Sequence, residues 1–163
     1  MFNQCQGYDW QILISSPLQR CASFALEWAE KQRIEHLLDA DWMEIDFGDW
    51  EGKTAQQIKA EDPDALQRFY ADPQTYTPPN AESYSQFTCR IQRALDRIIQ
   101  HYTGQHILLV THAGVIRALF SLLLQISPRH SFQIQVSHAC LTRFSCFDDE
   151  SGRFVQFNFH KPA

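Results

Sequence analysis

The sequence predicts an α/β fold, and three observations carry that reading. Two short apolar runs, Ile12-Leu13-Ile14 and Ile107-Leu108-Leu109-Val110, each hand over almost at once to a helix start. Such continuous runs fit strands buried in a parallel sheet. Between them Phe87, Ile91, Ala94, Leu95, Ile98, Ile99 and Tyr102 recur at helical spacing, the mark of an amphipathic helix. Two late segments, 139–147 and 153–159, read as strands joined by a turn over 148–152. Strands alternating with helices, closed by a hairpin, make an α/β architecture.

The elements follow in chain order. Gln11 to Ser15 is a strand. Ser16-Pro17 opens a helix, with Ser16 and Gln19 forming a capping box and Pro17 at the first helical position. Leu18, Cys21, Ala22, Ala25 and Ala29 form its apolar face. Trp42 to Trp50 reads as strand then loop, punctuated by Gly48 and Gly52. Thr54 with Gln57 caps a second helix, interrupted near Pro63. Asp72 to Asn80 is a loop. Ser83 with Gln86 caps a third helix, which Gly104 ends. Thr111 to Gly114 turns into a last helix, 115–124.

The chain has 163 residues, which predicts one domain over 1–163 with room for a substantial core. Apolar residues make up 44% and charged residues 20%, a soluble globular composition. The net charge of −5 argues against a nucleic-acid or anionic-membrane binder, which needs a basic face. No apolar run reaches the roughly 18 residues of a membrane span, and no signal peptide is read at the first residues. The five cysteines, at 5, 21, 89, 140 and 146, lack CxxC spacing. Reduced thiols and a cytoplasmic location are therefore expected.

Chemistry gathers at two strand ends, Ser15-Ser16-Pro17-Leu18-Gln19-Arg20 and Val110-Thr111-His112-Ala113-Gly114. Ligands of open α/β sheets collect beyond such ends, and a helix N-terminus there suits an anion. Arg20 is either a solvated helix arginine or a fork for phosphate oxygens. His112 is either a core histidine or a donor to a phosphoryl oxygen. Glu44 is either a surface carboxylate or an acid whose aromatic neighbours raise its pKa. The six glycines form no GxGxxG or P-loop, HExxH is absent, no cysteine has an arginine six positions on, and the seven histidines show no metal-ligand clustering.

Four segments in order resemble the histidine phosphatase superfamily, the phosphoglycerate-mutase-like proteins. They are Ile14 to Arg20, Glu44 to Gly52, Pro79 to Ser83 with Phe87 and Arg90, and Leu109 to Arg117. Phe47-Gly48-Asp49-Trp50-Glu51-Gly52 and the short insert before Glu82 look most like α-ribazole phosphatases. The resemblance implies a three-layer αβα fold and a metal-free phosphomonoesterase without cofactors. Its substrate would be a small phosphorylated metabolite, α-ribazole 5′-phosphate first, with a broad sugar-phosphate phosphatase as the alternative. Arg20 matches the family's phosphate-binding arginine, Glu44 its general acid and His112 its second histidine. The family usually has glycine where Ala81 stands.

The resemblance also implies a strand ending in Arg-His-Gly, whose histidine is phosphorylated, and a helix after it. Ten residues precede Gln11 and none reads Arg-His-Gly. The expectation is therefore a domain lacking its first, central strand and first helix, with exposed backbone edges that favour a homodimer. The same gap predicts little or no turnover. The rival expectations are a non-catalytic phosphate-binding relative, and a misassigned gene start or frame-disrupted fragment without function of its own.

Overall fold

The structure, a computed structural model, describes residues 2–150 and 152–162. Its centre is a three-stranded parallel sheet. β1 (Ile12–Ser15) lies between β2 (Glu35–Leu38) and β3 (Ile107–Val110). Ile12 pairs with Glu35 on one side and Ile107 on the other, and Ser15 pairs with Leu38 and Val110. β3 has no second strand partner among the described residues. The C-terminal strands β4 (Leu141–Asp149) and β5 (Gly152–Lys161) form a separate antiparallel hairpin. Ser151, in the expected turn between them, lies outside the described residues.

Alternation along the strands sorts the core into two layers. Ile12 and Ile14 face Phe87, Ile91 and Leu95 of α5 (Tyr84–His101) and Val115, Ala118 and Leu119 of α6 (Ala113–Leu124). Leu13, Leu108 and Val110 face the other way, onto Cys21, Ala25, Trp28 and Ala29 of α2 (Gln19–Gln32). Cys5, on the short α1 (Phe2–Cys5), joins that second layer. Helices thus cover both faces of a parallel sheet, the arrangement expected. The hairpin leans on α6 through Phe144 and Phe157, both edge-on to Phe120 and tilted against each other.

The expected capping boxes at Thr54 and Ser83 are present. Thr54 and Gln57 exchange bonds at the start of α3 (Ala55–Glu61), and Ser83 and Gln86 do so at the start of α5. After Pro63 the chain resumes as α4 (Ala65–Ala71).

Two local expectations are corrected. Ser16 does not cap α2: the helix starts at Gln19 with Leu18 as its flanking residue and no side-chain cap. The Ser16 hydroxyl instead accepts from the Leu18 amide and from a histidine described below. Trp42 to Trp50 contains no strand. It holds two 3-10 turns, Ala40–Trp42 and Gly48–Trp50, because Gly48 (φ +56°) turns the chain against Pro79 to Ala81, where a side chain would overlap backbone. Three helices and strands were not expected: α1, β2 and α7 (Pro128–Ser131). Polar Glu35 and His36 hid β2, and α7 is one turn long.

Candidate active site

β1 and β3 run side by side, and the Ser16 amide donates to the Val110 carbonyl at 3.0 Å. Their carboxyl ends therefore deliver Ser16 and His112 to the same place. α6 begins one residue after His112, so its free N–H groups and positive dipole end open there. Arg20 is the second residue of α2 and returns over the same strand ends.

His112 is 6% exposed, and both ring nitrogens are engaged. Arg20 Nε donates to Nδ1 at 3.1 Å, and Nε2 lies 2.8 Å from Ser16 Oγ. Because Arg20 can only donate, Nδ1 is the acceptor and the neutral ring carries its proton on Nε2. Burial, then the charges of Arg20 and Arg90, push the His112 pKa down to about 4. The ring is neutral at pH 7. Donation to a phosphoryl oxygen from Nδ1 requires Arg20 to let go and that nitrogen to gain a proton.

Glu44 lies across from this pair. Its Oε2 accepts from the Gly114 amide at 3.1 Å and its Oε1 from the Ile45 amide at 3.1 Å. A Cβ at position 114 would overlap Oε1, so glycine is what lets the carboxyl reach the first turn of α6. Burial raises the Glu44 pKa, opposed by the Gly114 and Ile45 amides and by the charges of Arg20 and Arg117.

The loop carrying Glu44 is held from behind by Arg90. Its guanidinium donates to Glu82 Oε1 and Oε2, each at 2.8 Å. It also donates to the carbonyls of Asp41, Met43 and Glu44 at 2.9, 2.7 and 2.9 Å. Thr111 Oγ1 adds a bond to the Trp42 carbonyl at 2.8 Å. Nearby Asn80, not Ala81, takes the positive φ of the adjoining turn, so alanine at 81 is unstrained.

Arg20 thus touches His112 directly, and Glu44 binds the second residue after His112. Beside Glu44 and Gly114 opens a cavity of about 620 Å3, with Arg117, Phe69 and Phe132 among its lining. Arg20 and His112 are not among that lining, while the charge of Arg20 acts on both His112 and Glu44. The anion-binding pair and the cavity meet at Glu44 and the first turn of α6.

Sequence reasoning missed Ser16 as the partner of His112, the Gly114 amide and Cys21. Cys21 Sγ lies 3.4 Å from the Thr111 carbonyl and 3.6 Å from His112 Nε2. Burial pushes its pKa up to about 11, so it is a protonated thiol and no nucleophile at neutral pH. His36 is half-buried against Ser15 Oγ at 2.8 Å. Among the described residues no group of three or more His, Cys, Asp or Glu could hold a metal ion. No helix of the described residues is long and apolar enough to cross a membrane.

Comparison with known proteins adds the following. The family described as histidine phosphatase superfamily (branch 1) matches residues 1–160. A bifunctional protein of Mycobacterium tuberculosis is 34% identical over 130 residues, 80% of this chain and 35% of its own length. An adenosylcobalamin/α-ribazole phosphatase of Salmonella typhimurium is 27% identical over 128 residues, 78% of this chain and 63% of its own length. The chain therefore spans about a third to two thirds of these relatives. Among solved structures, mycobacterial glucosyl-3-phosphoglycerate phosphatase superposes with a TM-score of 0.82 at 22% identity, covering 95% of this chain and 78% of the other. At that identity the likeness speaks to fold alone.

Proposed function

Because the chain belongs to the histidine phosphatase superfamily, branch 1, we propose that these residues form the anion-binding and acid half of a phosphomonoesterase site. On this reading the substrate is α-ribazole 5′-phosphate or a close analogue. The similarity to relatives named α-ribazole phosphatase supports that choice, as does the segment from Phe47 to Gly52. The observation that carries the reading is the direct Arg20–His112 contact beside Glu44, at the N-terminus of α6.

The chemistry follows from the groups. The Arg20 guanidinium leaves His112 and forks two phosphoryl oxygens. The first amides of α6 face the same charge. His112, freed at Nδ1, stabilises the phosphoryl group in transit. Glu44, whose pKa burial raises, is placed to give a proton to the leaving oxygen as the P–O bond breaks. The phosphoryl group passes to a nucleophile, and water then releases phosphate.

In the family that nucleophile is the histidine of an Arg-His-Gly run, and residues 1–163 contain none. Cys21 cannot stand in for it at neutral pH. These residues alone should therefore bind phosphate and show little or no turnover, which also favours the second reading, a phosphate-binding relative without catalysis. The test is hydrolysis of p-nitrophenyl phosphate by the 163-residue chain beside a catalytically competent relative. Turnover near background is expected, and a rate matching the relative would mean the nucleophile lies among these residues after all.

A further inference from the structure

Residues 126–138 run from the end of α6 towards β4, with α7 among them. At each end of this stretch a residue other than glycine holds a left-handed backbone, Gln125 with φ +56° and Ala139 with φ +58°. Gln125 flanks the end of α6, where that conformation is common. Ala139 is the third residue of a turn that the Cys140 amide closes onto the Ser137 carbonyl at 3.3 Å. With positive φ, that position normally takes glycine or asparagine. A Cβ there strains the backbone, and such strain persists only where the surroundings hold it.

The stretch forms one wall of the cavity beside Glu44. Ser131, Phe132 and Gln133 come from it, and Phe47, Phe69 and Tyr70 line the same space. Phe132 meets Phe69 at 5.7 Å and Tyr70 at 5.1 Å. The middle of the stretch is tied to itself: Ser127 accepts from the His130 amide, and Ser131 Oγ donates to the Pro128 carbonyl at 2.7 Å. Side chains of two other elements fasten it by its carbonyls. Arg117 Nε, on α6, donates to Ile134 at 3.3 Å, and His160 Nε2, on β5, donates to Gln135 at 2.8 Å. Against α7 the Tyr84 hydroxyl lies near Ser121 and Ser131, yet it and Ser121 Oγ are buried with no partner at hydrogen-bonding geometry. Lifting the stretch would hydrate both, which offsets part of the cost of breaking the two fastening bonds.

We propose that residues 126–138 act as a strap that swings on Gln125 and Ala139 to open and close the cavity beside Glu44, with the Arg117–Ile134 and His160–Gln135 bonds as its latches. Such motion does not depend on what reacts beside Glu44, so it stands or falls apart from the phosphatase reading.

The test is nitrogen-15 relaxation dispersion on the 163-residue chain, which reads the microsecond-to-millisecond exchange of lid motions. The amides of 130–135 should share one exchange process while those of α5 stay flat. His160→Phe keeps a ring beside Phe120 but removes the Gln135 latch. The open population should then rise about fivefold, the scale of one lost hydrogen bond. Ala139→Gly relieves the strained closed hinge, so the open population should fall severalfold. A segment that is merely loose would respond the other way, because glycine adds freedom. A neutral paramagnetic chelate in solution should also reach the Ser131 amide more in His160→Phe than in the parent chain. Flat dispersion across 130–135 in parent and variants, a larger open population in Ala139→Gly, or unchanged access at Ser131 in His160→Phe overturns the strap.

Discussion

The Gly114 amide donates to Glu44 Oε2 at 3.1 Å, and a methyl group at position 114 would overlap the other oxygen of the same carboxyl. The first turn of α6 thus fixes where the acid group sits, and Arg90 fixes the loop that brings it there. One end of α6 serves both halves of the site, the anion pair on one side and the cavity on the other.

Gly114→Ala should push the Glu44 carboxyl off the α6 amide. The overlapping atom is the far end of a side chain that can move, and alanine favours the helix, so the net cost should be about 1 kcal/mol or less. Urea denaturation measures that cost, and NMR titration of Glu44 should show its pKa rising further as the amide bond is lost. An unchanged midpoint and an unchanged Glu44 titration would show that the loop yields freely.

Arg90→Met leaves Glu82 without its partner and three carbonyls without a donor. The pair is only 14% and 19% exposed, so the variant should lose roughly 3 kcal/mol, the scale for breaking a buried pair. The urea midpoint should fall with the slope unchanged. A loss below about 0.5 kcal/mol would place the pair among ordinary surface bridges.

His112 makes stability depend on pH. Its folded pKa of about 4 lies below the ordinary 6.5, so between those values the unfolded chain binds more protons. Stability therefore rises with pH across that window, is fully present above 6.5, and is lost as pH falls towards 4. The raised Glu44 works the opposite way just above its ordinary 4.5. His112→Gln should flatten the stability profile between pH 4 and 6.5, and Glu44→Gln should steepen it. Arg20→Gln should move the His112 titration upward, since it removes one charge that lowers it. A His112 that titrates at its ordinary value in the folded chain would contradict the buried, arginine-bonded ring.

Three hydroxyls test which residues cap helices. Thr54→Ala and Ser83→Ala each remove a capping box and should cost about 1 kcal/mol. Ser16→Ala removes no cap from α2. It should instead change the tautomer balance of His112, visible in the ring nitrogen shifts. Loss of α2 helicity in Ser16→Ala would restore the capping role read from sequence.

Much of this was legible beforehand where one physical signal dominates. The helical period of Phe87, Ile91, Ala94 and Leu95 and the runs at 12–14 and 107–110 located α5, β1 and β3. Arg20 and His112 were picked out because strand ends and helix starts concentrate chemistry, and Glu44 because it is an acid among aromatic neighbours. What failed depended on contacts distant in sequence. Ser16 satisfies every local rule for a cap, yet its hydroxyl is taken by His112, 96 residues away. The 42–50 segment has β-like aromatics, but Gly48 docks against Pro79 and breaks the strand. β2 is polar at Glu35 and His36 because it is the more exposed of the two outer strands, with Glu35 and Leu38 open to solvent.

The most direct test of the central claim is titration of the 163-residue chain with inorganic phosphate, followed by NMR at His112 and Gly114. Saturable shifts at the His112 ring and the Gly114 amide are expected, with the ring taking up a proton as Arg20 leaves it. Both should vanish in Arg20→Ala while the rest of the spectrum stays folded. Phosphate binding that survives Arg20→Ala, or that leaves His112 and Gly114 unmoved, would contradict an anion site at these strand ends.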